Sequence, residues 1–332
     1  MKKPTMRDIG KAVGVSAVTV SKALAGKAGM SDKIRRRIQT VAEEMGYEYP
    51  SGEKVRRRLN LDIGILIPDQ YFQSDSFYSV LYKRLVQKLA ESSHFGLLEL
   101  LNAESEASLT LPNLIRSHRV DGMILLGQPS KEYYRMMAQQ ETPVVFLDFY
   151  DEHGSADSVV GDNTYGCYRL TSHLIRNGHT KIGFVGNYRV TSSIMDRYLG
   201  FYRAMLLADL PIREDWIIPD RQERTGLIDL ALPKELPTAF VCNCDLVAQK
   251  LIGQLEGMGL RVPEDISVTG YDDFSVGETH GPALSTFRVD TESMIELAVK
   301  MIVDRCSGLK KPFGRTVVSG QPIYRDSEKA LK

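Results

Sequence analysis

The sequence predicts a small all-α head followed by an α/β body of two doubly wound lobes, and three observations lead to this fold class. Capped helical segments fill the first 46 residues, whereas from Leu61 onward short apolar runs alternate with helical stretches. Residues 1–60 hold 14 Lys and Arg against 6 Asp and Glu, a net charge of +8, so with a total of zero the other 272 residues carry −8. A basic head on an acidic body is expected where one end of a protein meets a polyanion.

Three short helices are predicted in the head, each with its own start and stop. Residues suited to cap a helix precede all three, namely Thr5, Ser16 and Ser31, and Thr5 has an acidic residue three positions later, as in a capping box. Gly14 and Gly46 follow the first and third helices. Because the first two helices are joined by a short turn that contains a glycine, they form a helix-turn-helix unit.

Residues 5–26 resemble the head of the LacI/GalR (lactose-repressor) family. The resemblance is carried by Gly-Val-Ser-Ala-Val-Thr-Val-Ser-Lys-Ala-Leu at 14–24, and by the flanking pieces 31–35 and 43–47. It implies a sequence-specific DNA-binding transcriptional regulator, and a repressor is expected.

Docking geometry then assigns the DNA contacts. The first turn of a recognition helix meets base edges in the major groove, which selects Ala17, Val18 and, one turn later, Lys22. Ala17 and Val18 can read only apolar features such as a thymine methyl group, whereas Lys22 can donate to guanine. The resemblance adds Tyr47. Hydroxyls near helix N-termini suit phosphate contacts, and here they belong to Thr5, Ser16, Thr19, Ser21 and Ser31. For Thr19 the alternative is an inward-facing structural role.

The linker at 49–60 departs from the family. The resemblance implies a hinge helix here whose leucine wedges into the minor groove. This chain has instead Gly52 and a basic triplet at 56–58, with Val55 or Leu59 as candidate wedges. Val55, Arg56 and Arg57 are therefore predicted to contact DNA, since arginine suits a narrow minor groove.

Eight short apolar runs in the body have the composition of strands that are buried on both faces of a parallel sheet. Helical stretches between them would cover the sheets, and the series breaks into two near 148–157. The predicted strands are 63–67, 96–101, 122–126, 144–147, 158–160, 182–185, 239–242 and 266–269.

The body also resembles the family, through pieces at 121–125, 143–148, 162–163, 173–179, 197–203, 263–273 and 282–286. The resemblance implies a fold like that of the type I periplasmic sugar-binding proteins, with two Rossmann-like lobes crossed three times by the chain, near 149–155, 275–283 and 308–313. The predicted organisation is a DNA-binding head at 1–48, a linker at 49–60 and an effector-binding and dimerisation body at 61–332. The N-terminal lobe would hold about 61–150 and 280–310, and the C-terminal lobe about 151–279 and 311–332.

Ligands of open α/β sheets bind beyond the carboxyl ends of the strands, where this chain places several polar and aromatic residues, Asp148 among them. Carried over position by position, the family's effector pocket falls on Phe77, Tyr78, Phe149, Asp162, Ser193, Arg197 and Asp272. Aromatic faces with Arg and Asp suit a sugar. Where the resemblance implies Asn-Asp after the strand at 239, this chain has Cys244-Asp245, with Asn243 displaced by one position.

The sequence predicts a regulator whose operator affinity is controlled by a small molecule, with a sugar as the expected effector. The alternative effectors are a nucleobase or nucleoside, or a partner phosphocarrier protein. The alternative function is that of a stand-alone solute-binding protein. No phosphate-loop, metalloprotease or nucleophile-elbow motif is present, so an enzyme, a cofactor and a metal site are not expected. We expect a cytoplasmic homodimer that binds a near-palindromic operator, because one recognition helix covers few base pairs.

Overall fold

The computed structural model describes residues 4–24, 30–45, 47, 60–72, 76–222, 226–274 and 281–331. The chain divides into two compact units, residues 1–61 and 62–332. None of the helices within the described ranges is long and apolar enough to cross a membrane.

The head is a bundle of three helices: α1 (Met6–Val13), α2 (Ala17–Leu24) and α3 (Asp32–Glu44). Its core consists of Ile9, Val20, Ala23, Ile38 and Ala42, which lie on the inward faces of the three helices. Helix α1 ends at Gly14, where a φ of 78° requires the left-handed backbone that glycine tolerates. The turn into α2 is tight, since a Cβ on Gly10 would lie 2.6 Å from the Val15 carbonyl oxygen.

The N-terminal lobe is built on a six-stranded parallel sheet in the order β13-β5-β4-β3-β1-β2. Its strands are β1 (Asp62–Pro68), β2 (Phe95–Leu101), β3 (Gly122–Leu126), β4 (Val144–Leu147), β5 (Asp157–Gly161) and β13 (Arg315–Val318). Its helices are α4 (Phe77–Glu91), α5 (Ala103–Ala107), α6 (Asn113–Arg116), α7 (Lys131–Ala138) and α11 (Thr291–Cys306). Strands β1, β3 and β4 are almost wholly buried, as their continuous apolar composition predicts.

The C-terminal lobe has a four-stranded parallel sheet in the order β11-β10-β6-β7. These strands are β6 (Ile182–Val185), β7 (Ile217–Ile218), β10 (Ala239–Cys242) and β11 (Ser267–Thr269), and the helices are α8 (Asn163–Arg176), α9 (Ser192–Leu207) and α10 (Asp245–Gly257). Two antiparallel pairs complete the body: β8 (Arg221–Gln222) with β9 (Gly226–Leu227), and β12 (Thr286–Arg288) with β14 (Gln321–Ile323).

The predicted lobe boundaries are wrong, because two strands belong to the other sheet. β5 pairs with β4 and β13 pairs with β5, so both lie in the N-terminal lobe. The chain therefore crosses between lobes at about residue 162, at 289–290 and at 319–320, each several residues later than predicted. An apolar run shows that a strand exists, whereas its partner is decided by packing in three dimensions.

Candidate ligand cavity and DNA-binding helix

A cavity of about 360 Å³ lies between the two lobes of the body. It lies beyond the carboxyl ends of the strands, where each sheet reverses its strand order: between β1 and β3 in one lobe and between β6 and β10 in the other. Such reversal points open a crevice in doubly wound sheets, which accounts for the position of the cavity.

Aromatic rings form one wall of the cavity. Tyr71 and Tyr78 of the N-terminal lobe stack with ring centroids 5.1 Å apart, and Phe77 meets Phe274 of the C-terminal lobe edge-to-face at 5.9 Å. The Tyr78 hydroxyl donates to Asp148 Oδ2 at 2.8 Å, which fixes the tyrosine ring against the end of β4. This wall offers flat apolar surface to a ligand ring.

Arg197 dominates the opposite wall. It lies in α9, is 5% exposed and is held from four directions. Its Nε donates to Asn163 Oδ1 at 2.8 Å, and its Nη1 donates to the Asn243 carbonyl. Nη2 lies 3.0 Å from Asp272 Oδ1, and the guanidinium covers the Tyr271 ring with its carbon 3.9 Å from the centroid. The guanidinium is therefore fixed before any ligand arrives.

A second arginine is fixed in the same wall by a buried carboxylate. Asp220 is fully buried and accepts hydrogen bonds from Asn187 N, Arg221 Nε and Asn243 Nδ2, at 2.8, 2.7 and 2.9 Å. Arg221 Nη2 in turn donates to Asn243 Oδ1 at 3.3 Å. Asn243 thus links both arginines of the cavity into one network.

Three aspartates line the cavity, and burial raises the pKa of each carboxyl group. The pKa of Asp245 is raised to about 7 and that of Asp272 to about 8. Burial also raises the pKa of Asp148, where Arg197 and the Tyr78 hydroxyl oppose the shift. Near neutral pH the cavity therefore contains protonated carboxyl groups that can donate, as well as ionised ones that accept.

Two of these aspartates occupy backbone conformations that are unusual for residues other than glycine. The φ of Asp148 is 72° and that of Asp272 is 107°. Such strained positions cost about 1–3 kcal/mol each and are typical of ligand sites. Both residues line the cavity.

Five of the seven predicted pocket residues line this cavity: Phe77, Tyr78, Ser193, Arg197 and Asp272. The other two, Phe149 and Asp162, do not line it. Phe149 is fully buried in the core of the N-terminal lobe, stacked on Phe146 at 4.6 Å, because the side chain after β4 that faces the cavity is Asp148. Asp162 is the N-cap of α8 and accepts from Tyr165 N at 3.3 Å, so its carboxylate is committed to the helix start.

The carried-over pocket omitted several residues that line the cavity. Asp148 could be found from the sequence, because it directly follows an apolar strand. Arg221 could not, because it follows a two-residue strand that is too short to show a periodic pattern. Asn243, whose amide is displaced by one position from where the family resemblance implies it, also lines the cavity, as does Cys244. Other lining residues that the predicted pocket lacks include Gln70, Tyr71, Thr191, Asp245 and Phe274.

Helix α2 of the head exposes a predicted base-reading pair. Val18 is 65% exposed and Lys22, one turn later, is exposed as well, while Ala17 is half-buried. Val20 and Ala23 on the other side of the helix belong to the head core. An exposed stripe of this kind is what a helix needs to enter a groove.

The predicted phosphate-contacting hydroxyls already have partners within the head. Ser16 Oγ accepts from Thr19 N at 3.1 Å and lies 2.9 Å from Thr19 Oγ1, so both belong to the start of α2. Thr5 donates to Asp8 Oδ2 at 2.6 Å. Ser31 Oγ lies 3.5 Å from Ile34 N at the start of α3, and Ser21 is half-buried.

Tyr47 packs against the core of the head, and its backbone N–H donates to the Ala42 carbonyl at 2.9 Å. Its ring is thus engaged in packing rather than presented as a free side chain. The predicted linker contacts Val55, Arg56 and Arg57 lie outside the described residues.

Two family models match the two parts of the chain. Residues 5–50 match the bacterial regulatory proteins of the lacI family, and residues 171–328 match the periplasmic binding protein-like domain. The chain belongs to the LacI family.

Two relatives that align with most of this chain are named as repressors. The HTH-type transcriptional repressor PurR of Glaesserella parasuis is 27% identical over 312 residues, which cover 91% of this chain and 89% of that relative. The ribose operon repressor of Haemophilus influenzae is 26% identical over 336 residues, 99% of each chain. This LacI-family protein is a DNA-binding transcriptional repressor.

Solved structures share the fold. A LacI family transcriptional regulator from Enterococcus faecium with bound ribose matches with a TM-score of 0.65 and 25% identity over 82% of this chain and 100% of that one. The lac repressor dimer bound to operator and the anti-inducer ONPF matches with a TM-score of 0.65 and 20% identity over 99% and 100%.

Proposed function

We propose that this LacI-family repressor senses a small, neutral, hydroxyl-rich ligand, a sugar, in the cavity between its lobes. The observation that carries the proposal is Asp272 Oδ1, which is buried at the cavity and accepts no hydrogen bond from any residue that the structure describes. Arg197 Nη2 is an ion-pair partner 3.0 Å away but is not aligned to donate, and a buried acceptor left without a hydrogen bond costs up to about 1–3 kcal/mol. A ligand hydroxyl that donates to this oxygen removes that cost.

The rest of the cavity favours a carbohydrate for the same chemical reason. A sugar ring has apolar C–H faces and a rim of hydroxyls that both donate and accept. The aromatic wall with Tyr71 and Tyr78 suits the faces, and the guanidinium and carboxyl groups suit the rim. At about 360 Å³, the volume lies at the small end of the roughly 300–1,000 Å³ that ligand sites span.

A nucleobase or nucleoside is the second candidate. The stacked pair Tyr71 and Tyr78 is the feature that favours it, because a flat base could lie against these rings. Two names among the similar proteins favour the sugar instead: the ribose operon repressor of Haemophilus influenzae and the ribose-bound regulator of Enterococcus faecium.

For DNA, we propose that α2 enters the major groove with Val18 and Lys22 against base edges. Two such heads in a homodimer would read the two halves of a near-palindromic operator, since a two-fold axis doubles the contact set. A monomer that binds a single asymmetric half-site tightly in sedimentation experiments would contradict the homodimer.

The ligand class is tested by calorimetry of the full chain with neutral mono- and disaccharides, nucleobases and nucleosides. We expect a neutral sugar to bind, and Asp272→Asn to weaken it at least tenfold. Asp265→Asn, which changes a surface carboxylate paired with Arg261, is the matched control and leaves affinity unchanged. Binding of nucleobases alone selects the second candidate, and equal affinity in wild type and Asp272→Asn rejects the role of Asp272.

A further inference from the structure

The outer faces of α8 and α9 expose an unusual amount of apolar side chain. Leu199, Tyr202 and Leu206 follow one another at helical spacing on α9 and are 45%, 43% and 62% exposed, and Leu207 beside them is 67% exposed. Tyr165 of α8, 43% exposed, and its half-buried stacking partner Tyr168 extend the surface. These six residues form what we call the tyrosine–leucine patch. Contiguous exposed apolar surface of this kind marks interaction sites.

Two arginines lie on the tyrosine rings of this patch. Arg169 lies over the Tyr165 ring at 5.5 Å and donates to its hydroxyl at 3.0 Å, and Arg203 lies over the Tyr168 ring at 5.0 Å. Neither is within ion-pair distance of a carboxylate in the part of the chain that the structure describes. Residues 61–332 carry a net charge of −8. The patch thus presents two arginines without a carboxylate partner among the described residues, on a body whose net charge is negative.

The patch is held on a rigid base. Helices α8 and α9 cross so closely at Gly200 that a Cβ there would collide with the Thr164 carbonyl oxygen and lie 2.9 Å from Tyr168 N. Phe201 and Met205, on the inner side of α9, are fully buried in the lobe. Little ordering is therefore needed when the surface binds a partner, which favours affinity.

We propose that the tyrosine–leucine patch docks an acidic protein segment with aliphatic or aromatic anchors. The anchors would cover the exposed leucines and tyrosines, and the partner's carboxylates would pair with Arg169 and Arg203. Nucleic acid could satisfy the arginines but leaves Leu199, Leu206 and Leu207 uncovered. A second copy docked through the same patch would offer its own arginines, leucines and tyrosines, and so would supply no carboxylate to pair with Arg169 and Arg203. The proposal does not depend on the ligand of the cavity.

The test is selection of random peptides displayed on phage against the full-length protein. We expect the enriched peptides to combine Asp or Glu with Leu, Phe or Trp, and synthetic versions to bind in fluorescence anisotropy. Leu206→Glu and Arg203→Glu should each weaken these peptides at least tenfold. Met258→Glu, which places the same charge on a residue that is 55% exposed outside the patch, should not.

Three results overturn the proposal. One is enrichment of basic or uncharged peptides, or of peptides that bind the Leu206→Glu protein equally well. Another is a higher oligomer of the wild type in sedimentation that Leu206→Glu dissolves, since the occupant is then a second copy. The third is loss of binding to random-sequence DNA in Arg203→Glu, which makes the surface a nucleic-acid contact. Both variants change exposed side chains, so a native circular dichroism spectrum confirms that they fold.

Discussion

Arg197 Nη2 lies 3.0 Å from Asp272 Oδ1, yet this oxygen accepts no aligned hydrogen bond from any described residue. The arginine directs its own hydrogen bonds to Asn163 Oδ1 and to the Asn243 carbonyl instead. The pair is attracted by charge whenever Asp272 is ionised, and Oδ1 stays open to a ligand hydroxyl.

Replacement of Arg197 should cost stability as well as ligand binding. Arg197→Ala removes the partner of a buried carboxylate, and breaking a buried pair costs about 3–5 kcal/mol. We expect the lower end of that range, because Asp272, whose pKa is raised to about 8 by burial, can take up a proton. Chemical denaturation of the full chain measures the loss. The control Arg261→Ala, in an exposed pair with Asp265, should leave the transition unchanged.

Arg197→Lys separates charge from geometry. Lysine keeps the positive charge but cannot cover Tyr271 or reach Asn163 and Asn243 with a planar fork. We expect a smaller stability loss than for Arg197→Ala together with full loss of ligand binding. Ligand affinity equal to wild type in Arg197→Lys would show that only the charge matters.

The contribution of Asp245 and Asp272 to the stability of the body should fall as pH rises from about 4 to 8. Burial raises the pKa of Asp245 to about 7 and of Asp272 to about 8, above the ordinary value of 3.8. In this window the folded protein holds protons that the unfolded chain has released, so each pH increase favours unfolding. Asp272→Asn is neutral at every pH and should lose part of this dependence.

The difference in unfolding free energy between wild type and Asp272→Asn should change by more than about 1.4 kcal/mol between pH 4 and pH 8, the equivalent of one pKa unit. Comparison of the two proteins cancels the titrating groups that are distant from Asp272, whereas Asp245 and Asp148 are coupled to it. Parallel pH profiles would show that Asp272 titrates normally.

Lys22→Ala should reduce operator discrimination by about 1–3 kcal/mol if Lys22 reads a guanine. The probes are duplexes selected from a random pool with the full-length protein, compared with unselected duplexes in anisotropy titrations. Lys11→Ala, which removes an exposed lysine near the end of α1, is the control and should weaken both kinds of DNA equally. Equal losses for Lys22→Ala would assign Lys22 to the phosphate backbone.

Gly200→Ala should destabilise the C-terminal lobe, because the added Cβ has no room between α8 and α9. Overpacking of this kind costs about 1–3 kcal/mol. Gly253→Ala is the matched control, since Gly253 lies in α10 and a Cβ there meets nothing within 4 Å. That control should be neutral or stabilise by up to about 1 kcal/mol, through helix propensity. Thermal unfolding of both variants distinguishes the two effects.

The sequence by itself determined the local elements and the kind of site. Caps and glycines located the three head helices, and apolar runs located eight of the fourteen strands in the described residues to within a residue or two, whereas six short strands had no such run. These signals suffice because hydrogen bonds and burial patterns within a segment depend on its own residues. The strand-end rule also pointed to Asp148, and the resemblance to Arg197 and Asp272, all of which line the cavity.

Only the tertiary structure decided which elements and side chains meet. β5 and β13 join the N-terminal sheet through pairings between residues far apart in the chain, such as Thr316 with Val159. Asp148 and Phe149 are neighbours in sequence, yet one faces the cavity and the other fills the core, because Phe149 stacks on Phe146. Arg221 is held at the cavity by its bonds to the buried Asp220 and to Asn243, which comes from another part of the lobe. Long-range packing sets each of these positions, and no local pattern encodes it.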